Sequence, residues 1–208
     1  MEILHQLSSQ KGDKTEASNR IVAEKCITET ELLEEIASGF SSTDKKLQSD
    51  CIEVFTMVAG NHPDLIVPWA EQILPLLTSK ETKTRWEAAH TLSFIAHKIP
   101  AIIFSILAEL QEIIEKDKST IVRDYTLDTI ANYAKTGKEA SEKAFGILKT
   151  ALEVWDEKHA KQVFIGFNHI LDHQPSYGKE IDTLIRPFLD AKKKVVAKEA
   201  GKLIKRIQ

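Results

Sequence analysis

The stretch TRWEAAHTLSFIA (residues 84–96) decides the fold, because related stretches recur along the chain at a nearly constant distance. LQSDCIEVFTMVA (47–59) precedes it by 37 residues, and VRDYTLDTIANYA (122–134) follows it by 38. In each copy the apolar residues fall mostly four, five, eight and eleven positions after the first residue, which places them on one face of an α-helix. Two weaker copies begin at His159 and Val196.

The segments between these copies repeat with the same period. Ile73, Leu76 and Leu77 correspond to Leu110, Ile113 and Ile114, to Leu148, Ala151 and Leu152, and to Ile185, Phe188 and Leu189. Pro63, Pro100 and Pro175 fall in register at the predicted helix starts, where proline is tolerated, and Lys138 is the one departure. We therefore predict a helix-turn-helix repeat of about 37 residues, stacked about four and a half times. The helix with the quoted stretch is termed the first helix of its repeat, and the other the second helix.

The repeat resembles the HEAT family. The resemblance lies in ILPLL (73–77), a polar turn (79–83) and RWEAA (85–89) followed by Leu92, and the later Val122-Arg123 fits the same pattern. Ala160 and Ala197 replace the arginine of the motif, and Gly201 replaces a core residue. The resemblance covers roughly residues 42–208. It implies an all-α, right-handed α-α superhelix (an α-solenoid) whose second helices line the concave side. It says little about function, because such arrays scaffold many processes.

The chain is divided on this basis into an N-terminal cap and a repeat array. The cap covers residues 1–41, and the repeats cover approximately 42–79, 80–117, 118–155, 156–191 and a final half repeat, 192–208. Within the cap, residues 29–40 are predicted to form a second helix without its partner. Thr15 to Cys26 is predicted to form a helix with Ile21 and Val22 facing inward, and residues 8–13 a loop.

Composition excludes several classes of protein. The 208 residues carry a net charge of −3 and contain 8 Gly, 6 Pro and 2 Cys, which argues against disordered, collagen-like and disulfide-rich chains. The N-terminus has no secretory signal, and the longest apolar runs are far shorter than a membrane span. We expect a cytoplasmic protein without membrane contact.

Candidate chemistry is sparse. His169 and His173 share a helix face and could hold a metal, but a structural role is favoured because two ligands make no site. Asp124 and Asp128 are interpreted as a solvated face beside Arg123. Cys51 is placed in the core, and Cys26 could be exposed. We therefore predict no catalytic residue, cofactor or metal.

Charge is unevenly distributed along the chain. Residues 1–104 hold 10 basic and 15 acidic side chains, and are therefore acidic overall. Residues 105–208 hold 18 basic and 16 acidic side chains, and are therefore slightly basic. The final helix carries a basic stripe that could meet an acidic partner or phosphate, or could be a solvated end face. The outward strip of the second helices grades from acidic to basic, which suits a peptide or helix of another protein. The predicted partner-binding residues are Glu71, Gln72, Glu109, Glu112, Lys149 and Arg186 on the strip, and Lys194, Lys198 and Lys202 on the final helix.

The sequence favours a non-catalytic scaffold or adaptor that binds a protein partner, as a monomer or a homodimer. The alternative is a HEAT-like protein that binds DNA, such as a DNA alkylation-repair glycosylase, which the chain resembles in size and repeat character. Such enzymes hold damaged duplex in a basic groove lined by tryptophans. Trp69, Trp86 and Trp155 occupy different repeat positions, and Trp69 is placed in the core, so nucleic acid ranks below protein as a partner.

Overall fold

The computed structural model describes residues 2–208, the side chain of Asp156 excepted, and these residues form helices and connecting turns with no strand among them. The chain divides between Ile99 and Pro100 into two compact units, termed the N-terminal and the C-terminal unit.

The N-terminal unit contains seven α-helices and short 3₁₀ segments among its described residues. The α-helices are α1 Ser8–Lys11, α2 Ala17–Thr28, α3 Leu32–Ser38, α4 Lys45–Asn61, α5 Pro63–Ile66, α6 Ala70–Ile73 and α7 Thr82–Ile95.

The C-terminal unit also contains seven α-helices. They are α8 Pro100–Ser105, α9 Leu107–Lys116, α10 Thr120–Ala134, α11 Lys138–Trp155, α12 Ala160–His173, α13 Gly178–Ile185 and α14 Lys194–Ile207.

The predicted repeat register is confirmed at the helix starts. The first helices α4, α7, α10, α12 and α14 begin at residues 45, 82, 120, 160 and 194. The second helices open at Pro63, at Pro100, at Lys138 and, through a 3₁₀ turn, at Pro175.

Prolines break several second helices into short pieces. The segments Val67–Trp69, Leu74–Thr78 and Arg186–Asp190 are 3₁₀ helices, and each contains a proline near its start. Proline lacks the N–H donor and clashes with the carbonyl one turn earlier, so regular α-helix cannot continue through it. Long, regular helices in the N-terminal unit are therefore first helices or the cap helix α2.

First helices form the interior of each unit. Helix α4 packs against α2 and α7 in the N-terminal unit, and α12 packs against α10 and α14 in the C-terminal unit. In α4 every residue from Gln48 to Thr56 is buried, including the charged Asp50 and Glu53. Such burial explains why the most regular apolar pattern lies on the first helices.

A long polar side chain in the first turn of three first helices reaches back to the preceding turn. Arg85 donates to the carbonyl of Ser79 at 2.8 Å, and Arg123 donates to the carbonyl of Asp117. Gln48 fills the same repeat position in α4, and its amide donates to the carbonyl of Phe40 at 2.6 Å. These carbonyls have no partner within a helix, so the side-chain donors satisfy them and fix the turn geometry.

Arg123 is the most strongly engaged of these side chains. Its side chain lies only 1% exposed, with the guanidinium carbon 3.9 Å from the centre of the Trp155 ring. Its Nε donates to Nε2 of His159 at 3.0 Å, and Nδ1 of His159 lies 2.6 Å from a carboxylate oxygen of Asp124. Because an arginine Nε can only donate, the proton of neutral His159 lies on Nδ1 and points to Asp124.

The cap region differs from its prediction in three places. Residues 8–11 form the one-turn helix α1, closed by Gly12 at a φ of 69°, rather than part of a loop. Ile21 is 54% exposed although Val22 is buried as predicted, because α2 turns its inward face toward α4 one residue later. Cys26 is fully buried, so the suggestion that it could be exposed is wrong. Cys51 is buried, as predicted.

Arg123→Lys should lower the free energy of unfolding by about 1–3 kcal/mol, because lysine cannot satisfy the Asp117 carbonyl, His159 and the Trp155 ring together. Chemical denaturation at pH 7 measures the change. The matched control is Arg20→Lys, since Arg20 is exposed and paired only with Glu16 four residues earlier. An equal loss in both variants would contradict the role assigned to Arg123.

Gly166→Val in α12 should destabilise the protein by about 1–3 kcal/mol through overpacking. A Cβ atom at Gly166 would overlap the Leu148 side chain and lie 3.3 Å from the Cβ of Ala131. Gly146→Val in α11 is the control, because no atom lies within 4 Å of the Cβ position there. The control should change the free energy of unfolding by no more than about 0.5 kcal/mol. Thermal melts that rank the two variants in the opposite order would contradict this packing.

Candidate functional site

A polar seam joins the first helices α4 and α7 of the N-terminal unit. The hydroxyls of Ser49 and Thr84 lie 2.7 Å apart, and those of Thr56 and Thr91 lie 2.8 Å apart. The two contacts are seven residues apart on each helix, which is about two turns. Because these hydroxyl side chains are short, α4 and α7 can approach closely at this seam. Longer side chains from the same region line a neighbouring groove.

The groove has a cavity volume of about 950 Å³, within the range of sites that bind sizeable ligands. It is formed by the start of α1, the loop that follows α1 and the first halves of α4 and α7. Its lining residues are Ser8, Ser9, Gly12, Asp13, Lys14, Thr15, Glu16, Lys45, Lys46, Ser49, Asp50, Glu53, Glu81, Lys83 and Trp86.

The floor of the groove is acidic. Asp50 accepts a hydrogen bond from the backbone N–H of Ser9 at 2.7 Å, and Glu53 accepts one from the amide of Asn19 at 2.5 Å. The ammonium of Lys83 lies 3.0 Å from Glu53 and 3.8 Å from Asp50. Two nearly buried carboxylates thus share the ammonium of Lys83, which leaves the floor with an excess of negative charge.

Trp86 forms one wall of the groove. It is half-buried, and its indole N–H donates to the Glu87 carboxylate at 2.6 Å, which fixes the orientation of the ring. Burial raises the pKa of Glu87, and the Trp86 hydrogen bond partly opposes that rise. His90 and Phe94 follow at intervals of four residues, with ring centres 4.7 Å apart, so α7 carries an aromatic stripe along this face.

The partner-binding residues predicted from the sequence lie outside this groove. Glu71 and Gln72 are exposed on α6, Glu109 and Glu112 are exposed on α9, and Lys149 is half-exposed on α11. Arg186 is exposed in the segment Arg186–Asp190, and Lys194, Lys198 and Lys202 are exposed on α14.

Several of those residues form ion pairs with neighbours that were not part of the predicted set. The ion pairs are Glu112 with Lys116, Lys149 with Glu180, Arg186 with Asp182, and Lys202 with Glu199. The lysine and the arginine of the predicted strip are therefore tied to acidic residues of their own unit. Their role in binding remains a prediction.

The two histidines are held separately. Nδ1 of His169 lies 4.0 Å from Asp172, and Nε2 of His173 lies 2.9 Å from the carbonyl of Lys135. Burial, followed by the charge of Lys135, lowers the pKa of His169 to about 4. Within residues 2–208, no three His, Cys, Asp or Glu side chains are grouped to hold a metal ion.

The carboxylate pair of α10 is not simply a solvated face. Asp124 bonds to buried His159, and burial raises the pKa of Asp128 to about 6, with the charge of Asp124 contributing. The sequence interpretation missed the burial of these carboxylates because the helix that covers them, α12, lies about 35 residues later in the chain and packs against α10 only in the folded protein.

The cysteines and the other tryptophans are packing residues. Burial raises the pKa of Cys26 to about 11 and that of Cys51 to about 12, so neither thiol is readily ionised. Trp69 packs edge-on against Phe55 but is only half-buried, so it lies at the margin of the core rather than fully inside it as predicted. Trp155 lies under Arg123, and its indole N–H donates to the carbonyl of Ile114 at 2.7 Å.

Sequence reasoning did not identify Asp50, Glu53 or Trp86 as a group. One signal was present, because Asp50 and Glu53 interrupt the otherwise apolar run of α4. A charge inside an apolar stripe indicates either a buried ion pair or a binding site. Lys83 and Asn19, which complete the site, lie about 30 residues away on either side.

Asp128→Asn should stabilise the protein above pH 6 by about 1–2 kcal/mol and have little effect below pH 4. In the folded protein the pKa of Asp128 is about 6, above the ordinary value of 3.8, so folding favours the protonated carboxyl. The contribution of Asp128 to the free energy of unfolding is therefore fully present below pH 4 and is lost as the pH rises through 6. Denaturation at pH 4 and pH 7 tests this. Asp190→Asn, at an exposed position, is the control. A stability difference independent of pH would contradict the prediction.

Across the described part of the chain, no helix has the length and apolar content needed to cross a membrane. No family model matches the chain, and no curated protein has significant sequence similarity to it.

Solved structures establish the fold. A designed armadillo repeat protein in complex with the peptide (KR)4 superposes with a TM-score of 0.76 at 16% identity, covering 100% of this chain and 98% of that one. Computationally designed armadillo repeat proteins for modular peptide recognition superpose with a TM-score of 0.74 at 16% identity, covering 100% of this chain and 99% of that one. An engineered protein from a structural genomics consortium superposes with a TM-score of 0.74 at 20% identity, covering 99% of this chain and 95% of that one. The chain is an all-α solenoid of stacked helical repeats, similar in fold to these armadillo designs.

Proposed function

We propose that this chain is a non-catalytic protein-binding module, and that the groove of the N-terminal unit holds an extended segment of a partner protein. The observation that carries the proposal is the combination of a 950 Å³ groove, the wall formed by Trp86, and the acidic floor of Asp50 and Glu53. Aromatic walls with a few fixed polar groups are typical of surfaces that bind other molecules.

The floor favours a partner segment that carries a basic side chain. Lys83 now supplies the positive charge, but its side chain is 38% exposed and free to swing toward solvent. An arginine or lysine of the partner could then approach Asp50 and Glu53 while its methylene groups or its charge lie against Trp86. Replacing one cation by another keeps a positive charge beside the two buried carboxylates.

The structural comparisons support peptide binding as the type of function. One of the similar designed proteins is in complex with the cationic peptide (KR)4, and others are designed for modular peptide recognition. The proposal also includes a repeat family and a location. The repeats are assigned to the HEAT family on the motif that contains Arg85 and Arg123. A cytoplasmic location is assigned because both cysteines are buried and unpaired.

DNA binding is the weaker alternative. Trp69 and Trp155 are engaged by Phe55 and Arg123, so neither lines an open groove with Trp86. The acidic floor beneath Trp86 would repel phosphates, whereas DNA-binding surfaces are basic.

Fluorescence polarisation with a labelled (KR)4 peptide tests the proposal. Trp86→Ala should weaken binding at least about tenfold, because it removes the wall of the groove. The matched control is Phe104→Ala, which truncates a 48% exposed aromatic residue of the C-terminal unit and should leave binding unchanged. Thermal melts of both variants check that the fold is retained.

A second variant tests the acidic floor directly. Lys83→Met removes the ammonium that lies against Asp50 and Glu53, so the affinity for (KR)4 should rise about threefold or more if the peptide supplies the replacement charge. Failure of saturable binding, equal losses in the Trp86 and Phe104 variants, or a preference for a 20-base-pair duplex would overturn the proposed function.

A further inference from the structure

A second groove lies in the C-terminal unit, between the first helices α12 and α14. Its volume is about 310 Å³, and its lining residues are Phe164, Ile165, Asn168, Glu199, Lys202, Leu203 and Arg206. Phe164 and Leu203 are buried at its base, and Ile165 is 36% exposed beside them. Its base therefore offers an apolar seat for one side chain, and its edge carries charged groups.

The C-terminal segment that borders this groove is strongly basic. Between residues 192 and 206 the chain carries seven basic side chains and only one acidic side chain, Glu199. Lys194, Lys198 and Lys202 are exposed and four residues apart, so they project from successive turns of α14 at intervals of about 6 Å. Alternate residues of an extended peptide are spaced by about 6.6 Å, so carboxylates on such a peptide match this row.

The two basic groups that line the groove are held differently. Lys202 lies 2.8 Å from Glu199 and remains 59% exposed, so this ion pair is open to solvent. Arg206 is more firmly held, because its guanidinium donates to the backbone carbonyl and the side-chain oxygen of Asn168 as well as to Asp172. An exposed ion pair such as that of Lys202 contributes about 0–1 kcal/mol, so a carboxylate of a partner can replace the internal one at little cost. Internal pairing therefore does not close the surface to an acidic partner.

We propose that this groove binds a short acidic segment of a partner protein, which places one aliphatic or aromatic side chain against Ile165, Phe164 and Leu203. Carboxylates beside that anchor pair with Lys198 and Lys202, which are exposed. The basic side chains favour a partner with negative charge. The apolar base of the groove favours a protein segment over phosphate groups, because phosphate groups have no apolar side chain to bury there. The site is independent of the N-terminal groove, which favours the opposite charge.

The direct test is fluorescence polarisation with a labelled peptide of repeated Glu-Glu-Leu units. Lys198→Glu combined with Lys202→Glu should weaken binding at least about tenfold, and added salt should weaken binding to the unmodified protein. The matched control combines Lys143→Glu with Lys179→Glu, which makes the same change in net charge at exposed positions on α11 and α13. The control should lower the affinity by less than about twofold.

Ile165→Lys separates a docking site from a merely positive surface. It removes the apolar seat and adds a positive charge, so the affinity for the Glu-Glu-Leu peptide should fall at least about fivefold. A peptide of glutamate alone should bind the unmodified protein more weakly than the Glu-Glu-Leu peptide does.

Three results would overturn the proposal. The first is unchanged or tighter peptide binding by the Ile165→Lys variant, which would mean that charge alone attracts the peptide. The second is equal weakening by the two lysine double variants. The third is preferential binding of single-stranded DNA or of vesicles rich in phosphatidylserine, which would assign the stripe to phosphate groups.

Discussion

One contact recurs between the first turn of a first helix and the turn that precedes it, in α4, α7 and α10; α12 and α14 have Ala160 and Ala197 at that repeat position. Arg85 and Arg123 donate to carbonyls six residues earlier, and Gln48 donates to the carbonyl of Phe40, eight residues earlier. These three carbonyls lie at turns that precede a first helix, where no helical N–H reaches them, and the side chains supply the missing donors. The contact sets the angle at which the chain enters the first helix, and the neighbouring first helices can then stack along their length.

Stacking of the first helices has a chemical consequence. Helices such as α4 are covered by neighbours on several sides, so their polar residues become buried even where the sequence places them away from the apolar stripe. The hydroxyl pair of Ser49 and Thr84 and the carboxylates of Asp50 and Glu53 arise in this way. Some of these buried groups find partners in another repeat or in the cap, as Glu53 does in Asn19 and Lys83. The groove beside Trp86 is a product of this arrangement.

The two units present opposite chemistry on their first helices. The N-terminal unit offers an acidic floor beside an aromatic wall, and the C-terminal unit offers an apolar seat beside the lysines of α14. Uneven charge along the sequence thus becomes two distinct surfaces, and the partners proposed for them differ in sign for that reason.

The sequence by itself determined the fold class, the repeat length and nearly every helix start, because period and proline position are local properties of the chain. It also placed Cys51, Val22 and the basic stripe of α14 correctly. It did not determine the exposure of Ile21 or Cys26, the pKa of Asp128 or the groove at Trp86. Those features depend on residues from different repeats that meet only when the helices stack. The burial of a side chain and the electrostatic field around it depend on every residue packed against it, and those residues come together only in the tertiary structure.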